Sequence, residues 1–360
     1  MKRKAVLALV GLAMLGGLIA AGWTFRGEIA TRLVERTASR AVSRNLVVEL
    51  PDGLHAIFCG TGTPLPDRTR AGPCLAVVAG DQIFVFDAGE GAAETLSLLG
   101  VNAGDIETVF LTHLHSDHFD GLAPLALQQW ALGSAQEPMH VVGPQGVARV
   151  AAGLNEAYAI DAGYRSAHHG PEVMPPGGFG LRAEEFAAPA GEEAIVLRDE
   201  GGVRIVAFPV AHAPTDAVGY RIEYGGRSIA ISGDTARSRS LAHNARGADL
   251  LVHEAISPRL NAIMQEAANG AGRTNVGAIF HDILDYHTSP EDAGAIAQEA
   301  SVGALAITHL LPQTPLPGLA HTFEIDARKA YSGRIMVMRD GDVISLPSAG
   351  GMRQSNELLF

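Results

Sequence analysis

The chain has 360 residues, 47% hydrophobic and 6% aromatic, with 42 Gly and 19 Pro, a globular composition rich in turns and ample for a sizeable core. Acidic residues outnumber basic ones 39 to 27, and beyond residue 45 the balance is 37 to 19. With no concentrated basic run, this argues against a polyanionic partner, and no nucleic acid is expected.

The N-terminus begins Met1-Lys2-Arg3-Lys4, and Ala5 to Phe25 carries no charge. Twenty-one uncharged residues are long for a signal core and sufficient for a spanning helix, although Ala20-Ala21-Gly22 would serve as a cleavage site. Residues 1–25 are therefore expected to form a hydrophobic helix, a signal or membrane anchor. The three cations would hold its start in the cytoplasm. The expected location is the cell envelope, on the periplasmic side of the inner membrane or released into the periplasm. Residues 26–50 read as a juxtamembrane helix and linker, with Arg32, Arg36, Arg40 and Arg44 on one stripe. That stripe suits a solvated stalk or contact with anionic headgroups.

Apolar β-branched runs follow at 54–58, 75–78 and 83–86, divided by turns such as Gly60-Thr61-Gly62-Thr63-Pro64. Cys59 and Cys74 lie in this region, and either a disulfide or two buried thiols fits their positions. Helical patterns then alternate with strands: helix 91–99, strand 107–111, helix 119–132, strand 139–142, helix 145–159. Further strands are expected at 194–198, 202–210, 217–224, 227–232, 249–253 and 304–308, with helices near 276–286 and 290–301. Ser289 is a ready N-cap, followed by Pro290, Glu291 and Asp292. Segments 160–193 and 258–286 fit this scheme poorly, the second reading as a helical insertion around Asn269-Gly270-Ala271-Gly272, and are candidate lids or surface insertions. Two sheet groups flanked by helices make a layered α/β domain, expected to span 51–348 with a tail at 349–360.

The most informative stretch is Thr112-His113-Leu114-His115-Ser116-Asp117-His118, directly after the strand at 107–111. Four imidazole or carboxylate ligands in six positions are too many for one ion. Alternation sends His113 and His115 to one side, leaving Asp117 and His118 for a second metal. His212, Asp234 and His309 each follow an apolar strand. A lone His or Asp in such a place is usually a hydrogen-bonded core or loop residue, but three of them beside this cluster point to ligation.

In these residues the chain resembles the metallo-β-lactamase superfamily, and within it the ribonuclease Z-like and arylsulfatase-like branch. The likeness also rests on Phe86-Asp87-Ala88-Gly89-Glu90-Gly91, Ser232-Gly233-Asp234-Thr235, His253-Glu254-Ala255, His287-Thr288-Ser289 and Thr308-His309. It implies an αββα four-layer sandwich with the site at one edge between the sheets. It further implies two divalent ions, zinc foremost with manganese or iron as alternatives. His113, His115 and His212 would hold one, Asp117, His118 and His309 the other, and Asp234 would bridge them. Asp87 resembles the carboxylate that orients a ligand, His287 the proton donor and Glu254 its supporting acid, with His253 an alternative donor. A hydroxide between the ions would attack the ester. Relatives of this branch are often dimers, so a homodimer is also considered.

In ribonuclease Z a long tRNA-gripping arm separates the third His motif from the bridging Asp. Here His212 and Asp234 are 22 positions apart. Pro66-Asp67-Arg68-Thr69-Arg70-Ala71 resembles the branch's phosphate-contacting loop, so Arg68 or Arg70 could clasp an anion. The expectation is an envelope hydrolase of small phosphodiesters or related esters. A sulfate-ester hydrolase of arylsulfatase type, then a lactonase, are the alternatives, and a ligand-binding protein on the same fold is the non-enzymatic one.

Overall fold

The computed structural model describes residues 11, 14–17 and 19–358. The basic start of the chain, Met1-Lys2-Arg3-Lys4, and part of the apolar stretch expected as an anchor lie outside them. No helix among the described residues is long and apolar enough to cross a membrane, so the expected anchor and membrane contact gain no support. Residues 1–45 form a unit of their own, in which Arg26–Ser43 is helical with Ile29 and Leu33 exposed.

The second unit, Leu46–Phe360, carries two β-sheets. The first contains β1 (Gly53–Gly60), β2 (Cys74–Ala79), β3 (Gln82–Phe86), β4 (Ile106–Phe110), β5 (Met139–Pro144) and β6 (Leu181–Phe186). The second is built from β7 (Ile195–Glu200), β8 (Val203–Pro209), β9 (Val218–Tyr224), β10 (Arg227–Ile231), β11 (Leu250–Ile256), β12 (Ala304–Leu311) and β13 (Arg334–Val337). The chain then returns to the first sheet through β14 (Asp342–Pro347) and β15 (Arg353–Asn356). Strand order is β15-β14-β1-β2-β3-β4-β5-β6 in one sheet and β13-β12-β11-β10-β9-β8-β7 in the other.

Side-chain alternation explains the layering. In β1, Leu54, Ala56 and Phe58 enter the core between the sheets, where they join Val203, Ile205, Ile229 and Val252. Ile57 and Cys59 point the other way, into a core shared with helices Ala92–Leu99 and Leu122–Gly133. On the far side Leu251, Leu305 and Ile307 pack against helices Arg239–Asn244, Pro290–Glu299 and His321–Ala327. Both faces of each central strand are buried, so these strands read as continuous apolar runs. The arrangement is a helix–sheet–sheet–helix sandwich of the α/β class.

Several expectations change. The helix expected at 145–159 runs from Val147 to His169, and 181–186 is an edge strand, so only part of segment 160–193 is loop. Segment 258–286 is helical as expected, with helices Pro258–Gly270 and Thr274–Asp282 on either side of the Gly-rich break. Phe280 and Ile283 pack on Ile256 and Leu311, so this segment is moored to the ends of β11 and β12. The expected tail at 349–360 contains β15, paired with β14. Cys59 and Cys74 are joined by a disulfide, with Cα atoms 5.0 Å apart. The ladder between β1 and β2 steps from Phe58↔Leu75 to Gly60↔Cys74, which leaves Cys59 as the extra residue of a bulge facing its partner.

Candidate metal centre

After β4 the chain reaches His115 and then turns sharply through a 3₁₀ segment, Ser116–His118. His115 Nδ1 lies 3.0 Å from His113 Nε2 and 3.2 Å from His212 Nε2. A second group forms where Asp117 Oδ2 stands 3.6 Å from His118 Nε2 and 3.5 Å from His309 Nε2. Asp234 Oδ2 sits between the groups, 3.9 Å from His113 Nε2, 3.3 Å from His118 Nε2 and 3.5 Å from His309 Nε2. All seven side chains named from the sequence converge. His115 is the exposed member and marks the open side, while the other six are buried.

This donor set fits divalent cations. Asp117 Oδ2, His118 Nε2 and His309 Nε2 are buried and have no hydrogen-bond partner among the described residues. Leaving such an atom unsatisfied costs about 1–3 kcal/mol. Three of them beside one carboxylate form an arrangement that a cation resolves. Burial holds His113 well below the usual imidazole range, which keeps its ring neutral as a ligand must be. Burial alone would raise Asp234, but His309 and His118 outweigh it and hold the carboxyl well below its ordinary range.

Partners behind the donors fix their orientation. Asp87 Oδ2 accepts from His118 Nδ1 at 2.8 Å, which turns Nε2 toward the centre. Asp87 Oδ1 accepts the Thr112 backbone N–H at 2.8 Å, so one carboxylate ties β3 to the ligand loop. It does so from φ 58, a left-handed conformation that Asp tolerates better than most residues. His212 Nδ1 donates to the Tyr286 carbonyl at 2.9 Å. Replacing Asp87 by Ala is expected to weaken metal binding about 10–100-fold, read by competition with a chelator. Unchanged affinity would remove Asp87 from this role.

Glycine is required where the two sheets meet at the centre. Gly233 has φ +59, and a Cβ there would lie 2.9 Å from both Thr112 Cβ and the Val218 carbonyl oxygen. Gly233→Ala is expected to cost about 1–3 kcal/mol of stability in a urea titration.

His309 is not at a strand end, as the sequence suggested. β12 continues to Leu311, and its pairing with β11 steps from Glu254↔Thr308 to Ala255↔Leu310. His309 is the extra residue of a bulge, with φ 47, and so turns into the cleft.

Glu254 Oε1 accepts from the Thr235 and Thr288 backbone N–H groups at 3.1 Å each and from His287 Nδ1 at 3.0 Å. Burial would lower His287, but the Glu254 carboxylate raises it to about 8, so it carries a proton at neutral pH. A His287 nitrogen lies within 4.8 Å of donor atoms of Asp234 and His309. His253, by contrast, is not brought to the centre. It follows Val252, which faces the core between the sheets, so alternation turns it to the outer side, and its Nδ1 contacts the Glu254 carbonyl at 2.7 Å.

The two arginines separate as well. Arg68 is exposed, whereas Arg70 turns inward and donates to Thr61 Oγ1 at 2.5 Å and the Met338 carbonyl at 2.8 Å. Asp340, which the sequence did not single out, accepts from the Thr61 and Ala71 backbone N–H groups and so holds both ends of the 61–71 loop. Arg70 is thus committed to the loop's own anchorage.

Residues 83–310 match the beta-lactamase superfamily domain. Ribonuclease Z of Mycobacterium bovis (strain BCG / Pasteur 1173P2) is 37% identical over 292 residues, covering 80% of this chain and 96% of that protein. Ribonuclease Z of Mycolicibacterium gilvum (strain PYR-GCK) is 37% identical over 290 residues, covering 80% and 94%. Among solved structures, human tRNase Z, short form, is similar with TM-score 0.57 at 23% identity, covering 81% of this chain and 99% of that one. The chain belongs to the metallo-β-lactamase superfamily, and its closely matching relatives are ribonuclease Z proteins. It is a metal-dependent hydrolase acting on ester bonds.

These relatives correct the expected partners. Absence of a nucleic-acid partner and preference for a small-molecule ester do not hold against ribonucleases matched along nearly their whole length. The inference failed because net charge describes the average surface, while divalent ions supply positive charge locally at the centre. The short span between His212 and Asp234, filled by β9 and β10, describes one loop position and not the chemistry beside it.

Proposed function

We propose that this chain hydrolyses phosphodiester bonds of RNA at a two-metal centre. The observation that carries the reading is the pair of donor groups sharing Asp234 Oδ2 at 3.3–3.9 Å from His113, His118 and His309. His113, His115 and His212 would hold one ion, Asp117, His118 and His309 the other, with Asp234 between them. Zinc is the preferred metal for this imidazole and carboxylate set. Two bound cations would supply Lewis acidity for the phosphoryl oxygens and a nucleophile at neutral pH.

The chain's own residues then do the rest. Asp87 and the Tyr286 carbonyl keep His118 and His212 in the tautomers that present Nε2. His287, held by Glu254, donates a proton to the departing ribose oxygen. Exposed Arg68 remains available to a phosphate on the strand, and Arg70 holds its loop in place. The Cys59–Cys74 disulfide supports an oxidising, extracytoplasmic location for this activity.

The test uses the purified full chain with defined zinc or manganese content. It is assayed on a short RNA, an aryl phosphodiester, an aryl sulfate and a lactone. RNA cleavage that depends on metal and is lost with His115→Ala is the expected result. Turnover of the sulfate or lactone with none of either phosphodiester would overturn the reading.

A further inference from the structure

Tyr286 is not among the ligands or the acid–base pair, yet it is placed against both. Its ring centroid lies 5.0 Å from that of His212, edge-on at 81°, and 4.9 Å from that of His287. One side packs toward the cluster of Ile256, Phe280, Ile283 and Leu311, which moors the helices of 258–282. Tyr286 is nonetheless only half-buried, so part of it remains exposed beside the centre. A large, rigid, partly exposed aromatic thus borders the metal centre. Its position is set by its own carbonyl, which holds His212, and by the satellite cluster below it.

Aromatic rings beside nucleic-acid sites serve as stacking platforms, because every nucleobase has a π-face. Resting on the RNA-phosphodiesterase reading above, we propose that Tyr286 is a specificity-determining residue that stacks on the nucleobase next to the scissile phosphate. The contact would fix where the backbone lies over the two ions without touching the reacting atoms. It also gives segment 258–286 a role, since the cluster that anchors those helices is the one that holds this ring.

The geometry separates the side chain from the backbone. The Tyr286 carbonyl that orients His212 survives any substitution, so metal content should not change when the ring is removed. The test compares wild type, Tyr286→Leu and Tyr286→Phe, all as full-length metal-loaded protein. Substrates are a short RNA and the same RNA made abasic on either side of the cleaved bond. Tyr286→Leu, which keeps apolar bulk over the cluster, is expected to raise KM for the normal RNA about 10–100-fold. KM for the RNA lacking the stacked base should differ little between variants, with kcat nearly unchanged. Tyr286→Phe restores the ring and with it the low KM.

An equal KM for all three proteins would overturn the inference. So would equal losses on normal and abasic RNA, or a Phe variant as impaired as Leu, which would put the hydroxyl and not the ring in contact. Loss of bound metal in Tyr286→Leu would make the residue a structural support and likewise overturn it. Failure of wild type to cleave RNA at all, with turnover elsewhere in the panel, would remove both this inference and the reading it rests on.

Discussion

Asp234→Asn is expected to be the most damaging single substitution at the centre. Both donor groups lean on one oxygen, so removing its charge weakens both ions, whereas His212 or His309 belongs to one group only. Asparagine preserves shape but removes the charge and turns one acceptor oxygen into an NH2 donor, so the change falls on the ligand itself and not on packing. kcat/KM should fall about a thousandfold or more, equivalent to roughly 4 kcal/mol of transition-state stabilisation. Elemental analysis after gel filtration should show less than the full complement of metal. A variant that retains both ions and near-native turnover would show that Asp234 is not the shared ligand.

The second large effect separates proton donation from metal chemistry. His287→Ala should reduce kcat on RNA by about 10²–10⁴-fold, the range general acid catalysis contributes when the leaving group is a poor one. An aryl phosphodiester leaves without help, so its hydrolysis should fall much less. Glu254→Gln should follow the same pattern more weakly, because it removes the charge that keeps His287 protonated while leaving two backbone N–H groups an acceptor. Equal losses on the two substrates would assign His287 to holding the centre together instead.

The ligand set was legible in the sequence because metal chemistry demands particular residue types at positions the apolar runs already mark. His113, His115, Asp117 and His118 crowd one turn, and His212 and Asp234 each follow a β-run. Two of the edge strands were not legible. β6 reads Leu-Arg-Ala-Glu-Glu-Phe with only Leu181 fully buried, and β15 is exposed throughout, so neither shows the apolar signal of a central strand. Arg70 shows a different limit. Its type and loop setting advertise an anion contact, but one of its partners, the Met338 carbonyl, comes from the far end of the sequence and meets it only in the fold. Asp340 is invisible for the same reason, since it acts on residues about 270–280 positions away. Tyr286 had one available signal, adjacency to His287, and no pattern to distinguish it from a core aromatic. The phosphodiester class fits the relatives, and only the exclusion of nucleic acid, with the small-molecule preference tied to it, fell, where a bulk property, acidity, stood in for a local event.

The bulge at His309 makes β12 a strand of two phases. Up to Thr308 the even-numbered residues face the other sheet, as Ala304 and Ala306 do, and the odd-numbered Leu305 and Ile307 face the outer helices. One residue later the parity inverts, because even-numbered Leu310 joins Leu305 and Ile307 on the outer side. His309 is the hinge of that inversion, and its imidazole gains access to the ions by belonging to neither parity. Shortening β12 by one residue would therefore do more than delete a ligand. It would restore a single parity to the strand, with Leu310 following Thr308 directly on the outer side it already occupies, and would remove the break that lets a side chain reach the ions.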